Sequence, residues 1–234
     1  MRILEVVVPE LILIRHGQSV VNDARLEGGV DSEKAEALTA QYGGAEPLSP
    51  LGELQAGTAC KVLGSMIDAD EMRPEVGLVS TLPRAIDTSK IIGPPGVEYE
   101  EFSDLREFDG GHNDELREDV QSVEERVFGV LINAMEKNED KGLIVITHRG
   151  VMGVVLGMIL GVRGREELAQ IRREALDRAT PQNCEFDHFR REGNKVLYRS
   201  VRPWSQNKAK ELSVRGNPES RWVRVGHKAL HRFD

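Results

Sequence analysis

Leu11-Ile12-Leu13-Ile14-Arg15-His16-Gly17 is the stretch on which the fold turns. Four consecutive apolar residues leave no polar face, so they read as a strand buried on both sides, and the switch to Arg-His-Gly ends it in a loop. The same design recurs at Gly142-Leu143-Ile144-Val145-Ile146-Thr147, which stops at His148. Val76-Gly77-Leu78-Val79-Ser80-Thr81 reads as a third such strand, followed by a helical stretch from about Pro83 to Ile92. Buried strands that each feed a helix predict an α/β fold, a three-layer α/β/α arrangement around a mostly parallel central sheet.

Working outward, helices are expected from about Pro50 to Ile67, Val120 to Asn138, Gly150 to Leu160 and Arg165 to Leu176. Ser49 supplies an N-cap to the first of these and Pro50 occupies its first helical position. Two late strands near Cys184 to Arg190 and Lys195 to Val201 flank Glu192-Gly193-Asn194 and predict a hairpin. Residues 23 to 47 are polar, acidic and Gly-containing, which predicts a long mobile loop with one short helix near Glu33 to Leu38. The apolar segment Ile3 to Val8 offers an added edge strand or a homodimer interface.

Composition bounds the rest. The 234 residues suffice for one large domain with a substantial core, and 39% hydrophobic with 30% charged residues excludes fibrous and disordered classes. A formal charge of −8 gives no broad attraction for nucleic acid or an anionic membrane, so any bound anion must be held locally. Cys60 and Cys184 are too few for a disulfide framework and lack zinc-ligand spacing. Glu5 and Glu10 interrupt the opening apolar runs and Val151 to Val162 is too short to span a bilayer, so the expected location is cytoplasmic. Residues 1–201 are read as the catalytic domain. From Arg202 to the end, eight Lys/Arg stand against three Asp/Glu, a tail of +5 on a body of −13. That basic tail, 202–234, either packs on the domain, is partly disordered or contacts a partner.

In open α/β sheets ligands gather outside the carboxyl ends of the strands. Arg15, His16 and His148 fall there, and Arg84 sits four residues beyond Ser80 near the start of the next helix. Two arginines and two histidines make a cationic pocket suited to a phosphoryl group, because guanidinium forks match phosphate oxygens bidentately. A plain nucleotide binder is disfavoured by the lack of a phosphate-binding G-x-x-x-x-G-K-[ST] loop.

Several segments, in order, resemble the histidine phosphatase superfamily, also called phosphoglycerate mutase-like. They are Leu13-Ile14-Arg15-His16-Gly17-Gln18-Ser19 with Asn22, Leu48-Ser49-Pro50-Leu51-Gly52-Glu53, Ser80-Thr81-Leu82-Pro83-Arg84-Ala85, Leu105-Arg106-Glu107-Phe108, Ile144-Val145-Ile146-Thr147-His148 and Asn183-Cys184. The resemblance spans residues 11 to about 190. It implies phosphoryl transfer through a phosphohistidine on His16. Arg15, Arg84 and a protonated His148 would neutralise the transferring oxygens, with Asn22, Gly17 and Ser19 adding phosphate contacts. Glu107 would be general acid and then base, selected over Asp104, Asp109 and Asp114 by its Leu-Arg-Glu-Phe context. No cofactor or metal is required for that arrangement.

The chain also departs from the family pattern. Arg149 intervenes between His148 and Gly150, where Gly commonly follows the histidine directly, and it either reaches a second anionic group of the substrate or points to solvent. His112 and Asn113 either line the substrate mouth or lie on the surface. The basic Glu-Arg-His-Tyr-Gly segment of metabolic mutases and the R-H-G-x-R-x-P opening of acid phosphatases are both missing. Hydrolysis of a small phosphomonoester is therefore the expected activity. The alternatives are mutase-type transfer and a non-catalytic module that binds a phospho-ligand or a protein.

Overall fold

A computed structural model describes residues 8–28, 32–108, 118–162, 183–193, 195–203 and 223–225. In chain order the elements are β1 (Glu10–Arg15), α1 (Val20–Gly28), α2 (Glu33–Tyr42), α3 (Pro50–Asp68), β2 (Pro74–Ser80), α4 (Pro83–Ile92) and β3 (Tyr99–Phe102). A single 3-10 turn, Ser103–Leu105, precedes α5 (Val120–Lys137), β4 (Gly142–Thr147), α6 (Arg149–Leu160), β5 (Phe186–Glu192), β6 (Lys195–Val201) and β7 (Val223–Val225). The strands form one sheet in the order β3-β2-β4-β1-β5-β6-β7. β3, β2, β4 and β1 pair in parallel, and β5, β6 and β7 continue the sheet antiparallel, so five of the seven strands run in one direction.

Alternation along the central strands builds the three layers. Leu11, Leu13, Leu78, Leu143 and Val145 face one side, where α5 and α6 cover them with Val127, Leu131, Met152 and Leu156. Ile12, Ile14, Val79, Ile144 and Ile146 face the other, against Ala56, Ala59 and Leu63 of α3 and Ala85 and Ile92 of α4. Each fully buried aliphatic side chain contributes about 1.5–3 kcal/mol. The unbroken apolar runs of β1 and β4 are thus explained by cover on both faces.

The structure departs from the sequence reading at two places. Val20–Gly28 and Glu33–Tyr42 are two helices, α1 and α2, where one short helix in a loop was expected; α2 extends past Leu38 to Tyr42. Ser32 caps α2 by accepting from Ala35 N at 3.1 Å, and Gly43 ends it in the left-handed region at φ 56°. Val21, Ala24 and Ala35 are the buried residues of this otherwise polar pair, whose two helices pack against each other. Second, β3 extends the parallel sheet, a strand that Glu100 and Glu101 conceal in sequence. Among the described residues of the basic tail, Val223–Val225 pairs with Val196–Tyr198 of β6. The expected helix at 165 to 176 and the segment Ile3 to Val7 lie outside the described residues. Among the described residues no helix is long and apolar enough to cross a membrane.

Candidate active site

Register brings the two histidines together. β1 and β4 are parallel neighbours with Arg15 opposite Thr147, so the next residue on each strand, His16 and His148, leaves the sheet at the same level. His16 N donates to Thr147 O at 2.9 Å, and the two imidazole rings lie 4.9 Å apart between centroids. β2, on the far side of β4, ends at Ser80, and the first turn of α4 brings Arg84 back over the strand ends. Arg84 Nε points at His16 Nε2 from 3.3 Å. These side chains meet at the carboxyl ends of adjacent parallel strands, the expected ligand crevice of such a sheet.

His16 has a defined tautomer. Its Nδ1 lies 2.6 Å from Gly17 O, and because a carbonyl can only accept, Nδ1 carries the proton. Nε2 then keeps its lone pair and faces the Arg84 donor. Burial first, then the charges of Arg84 and Arg15, hold His16 well below the ordinary histidine range, so the ring is neutral at neutral pH. The backbone on either side is fixed as well: Asn183 Nδ2 donates to His16 O at 3.0 Å, and Gly17 N donates to Thr88 Oγ1 at 2.9 Å.

His148 is buried and its Nε2 lies 2.8 Å from Ser80 Oγ. Ser80 Oγ also accepts from Leu82 N at 3.3 Å, and with its own proton and a second lone pair the hydroxyl partners Nε2 in either imidazole tautomer. Nδ1 is buried and without a hydrogen-bond partner among the described residues. Burial, followed by the proximity of His16, Arg84 and Arg15, holds His148 well below the ordinary histidine range, so the ring is neutral at neutral pH, as His16 is. A phosphoryl dianion is the counter-charge that would favour the imidazolium form.

The remaining candidates sit around this pair. Arg15 ends β1, and burial, with Arg149 as the second cause, lowers its guanidinium to about 10 while Glu107 opposes the drop. Arg149 itself is exposed at the start of α6. Asn22, on the first turn of α1, has a buried Oδ1 without a partner among the described residues. Ser19 Oγ accepts from Asn22 N at 3.2 Å and so caps α1. At Gly17 a Cβ would come within 2.6 Å of Gly52 O, so glycine is what lets the loop after His16 lie against the start of α3. His112 lies outside the described residues.

Glu107 is held at the head of α6. Its Oε1 accepts from Phe108 N and from Gly150 N, each at 3.1 Å. Thr147 Oγ1 donates to Leu105 O at 2.7 Å, tying the carboxylate's own segment to the strand that delivers His148. A side chain at position 150 would collide with Glu107 Oε1 and the Phe108 ring, so Gly150 makes room for this docking. Ser80, Thr147, Asn183 and Gly150 do this supporting work and were not singled out as site residues from sequence. Among the described residues no group of three or more His, Cys, Asp or Glu side chains is placed to hold a metal ion.

Residues 11–119 match the model of the histidine phosphatase superfamily (branch 1). This segment belongs to the histidine phosphatase superfamily. The match carries Arg15, His16, Arg84 and Glu107; His148 lies beyond it, and the sheet register brings it in. No curated protein matches the chain in sequence. Solved structures do match in fold. Mycobacterial hydrolase 1 superposes with a TM-score of 0.57 at 18% identity, over 96% of this chain and 100% of that one. Mycobacterial glucosyl-3-phosphoglycerate phosphatase gives 0.55 at 19%, over 77% and 89%. A putative alpha-ribazole-5'-P phosphatase of Escherichia coli gives 0.54 at 16%, over 79% and 91%. At these identities the likeness is one of fold, the phosphoglycerate mutase-like α/β/α arrangement of the superfamily.

Proposed function

We propose that this protein hydrolyses a small phosphomonoester through a phosphohistidine on His16. The observation that carries the reading is the His16 ring itself: Nδ1 tied to Gly17 O, Nε2 directed at Arg84, and His148 alongside. A neutral imidazole locked in this tautomer is a competent nucleophile at physiological pH. Nε2 would attack phosphorus in line, forming the N–P bond as the ester P–O bond breaks. Arg15, the NH2 and Nε edge of Arg84, His148 and Asn22 would hold the phosphoryl oxygens, and Arg149 would meet a second anionic group at the rim. Gly17 and Ser19 support the site by packing and capping the loop.

Glu107, protonated, would give its proton to the departing alkoxide. As carboxylate it would then take a proton from the water that attacks phosphorus, the N–P bond would break, and His16 would return with phosphate released. The charge needed to stabilise transfer comes from side chains on hand, so turnover of an aryl phosphate is expected to persist in chelator. Glu107→Gln should slow alkyl phosphates, whose leaving oxygens need protonation, at least tenfold more than aryl phosphates. Equal losses on both classes would remove Glu107 as the acid. Appearance of phosphate on a second hydroxyl instead of in water would make the chain a mutase, and no turnover across a broad panel of phosphomonoesters would make it a binding module.

A further inference from the structure

Arg84 is engaged on both sides. Its Nε is directed at His16 Nε2, while NH1 donates to Gly44 O at 2.8 Å and lies 3.2 Å from Glu46 Oε1. Both side chains of the ion pair are almost covered, 8% and 12% exposed. A carboxylate in a pocket read as a phosphate site is unexpected, since it spends positive charge that a dianion would use.

The segment that brings Glu46 there is fixed at both ends. Gly43 and Gly44, with φ of 56° and 87°, turn the chain back after α2. Beyond Glu46, Pro47 O accepts from Val20 N at 3.2 Å and Leu48 bridges to Ser19 beside the nucleophile loop. The geometry therefore gives Glu46 a defined target, the outer nitrogen of Arg84. With NH1 taken, the edge left for a ligand is Nε and NH2, the edge that lies toward His16. A guanidinium binds two oxygens of one phosphoryl group through such a fork, and rotation about its own stem would lose the match.

We propose that Glu46 is a positioning residue for Arg84, holding the guanidinium by NH1 so that its Nε and NH2 edge faces the phosphoryl group at His16. The proposal rests on the phosphatase reading above. It predicts that Glu46 matters most when the oxygens adopt transfer geometry and least for a loosely held ground-state anion.

The test compares orthovanadate, which takes the trigonal-bipyramidal geometry of transfer, with inorganic phosphate as calorimetric ligands, alongside kcat and KM on an aryl phosphate. Glu46→Ala is expected to weaken vanadate binding and lower kcat by about tenfold or more, with phosphate affinity and KM changed less than about threefold. Glu46→Gln retains an oxygen acceptor for NH1 and is expected to stay within about threefold of the unsubstituted protein on every readout. Glu46→Asp keeps the charge but withdraws the oxygen by one methylene. It is expected to fall with Glu46→Ala, which keeps the test decisive if the alanine variant does not fold. In an Arg84→Ala background, Glu46→Ala should change nothing further. Tighter binding of vanadate and phosphate together on removing Glu46 would mark it as a competing anion and overturn the proposal. So would indifference of vanadate binding to Glu46→Ala and Glu46→Asp while Arg84→Ala abolishes it. Binding untouched by Arg84→Ala would overturn the phosphatase reading itself, and this proposal with it.

Discussion

At the scale of single residues the site depends on who holds whom. His16 is set by Gly17 O and Asn183, His148 by Ser80, and Glu107 by the backbone of Phe108 and Gly150. Gly150→Ala tests this logic without touching a charged group, because the new Cβ would meet Glu107 Oε1 and the Phe108 ring. The expected outcome is a loss of about 1–3 kcal/mol in stability from overpacking, with a larger fall in kcat on alkyl than on aryl phosphates. A variant with unchanged kcat on both would show that Glu107 does not need its seat on α6. That Arg15, His16, Arg84, Glu107 and His148 would lie together was legible in sequence, since they stand at strand ends or in ordered motifs. Their supports were less so. Nothing in the one-dimensional pattern says that Gly150 makes room for a carboxylate 43 positions earlier, or that Glu46 reaches Arg84.

At the scale of elements, legibility followed periodicity. The apolar runs within β1 and β4, the Ser49-Pro50 start of α3 and the stretch of α4 from Pro83 to Ile92 were readable because caps and buried runs are local signals. The hairpin of β5 and β6 was readable from its Gly193 turn. β3 was not, because a four-residue strand with two exposed glutamates has neither the length nor the alternation of a buried one. α1 and α2 were missed because their apolar contact is small. Val21 and Ala24 sit three positions apart on α1, and Ala35 is the one buried residue of α2. The signal that could have found α1 was Ser19 as an N-cap, the role in which the structure uses it. This helical pair lies in sequence between the His16–Ser19 loop and Glu46, so the segment that looked most like a loop ends against Arg84.

At the scale of the whole molecule, the carboxyl ends of β1, β2 and β4 gather Arg15, Arg84 and two histidines at one end of the sheet. The opposite end is closed by a buried polar network: Arg199 Nε donates to His188 Nδ1 at 3.1 Å, His188 Nε2 donates to Glu10 Oε1 at 2.6 Å, and Arg73 N donates to Glu10 Oε2 at 2.6 Å. Burial lowers His188 below its ordinary range, as it does His16 and His148. All three therefore bind protons more readily in the unfolded chain than in the folded one. Between the unfolded histidine value near 6.5 and their lower folded values, stability must rise with pH and fall on acidification, by up to about 1.4 kcal/mol per pH unit for each histidine. Above that window their contribution is constant. Urea unfolding at a series of pH values should show a plateau above about pH 7 and a decline beginning near 6.5. His148→Gln should make the decline shallower, and stability that is flat or rises from pH 7 to 5.5 would refute the assignment of these rings as neutral.

The central claim is that His16 Nε2 takes the phosphoryl group. Rapid quenching during turnover of an aryl phosphate, followed by mass spectrometry under alkaline conditions, tests it directly. The account predicts one acid-labile phosphoryl group on the peptide carrying His16, absent from His16→Ala and accumulating in Glu107→Gln when an aryl phosphate loads the site. Turnover that persists in His16→Ala, or a phosphoryl group found on any other residue, would contradict it.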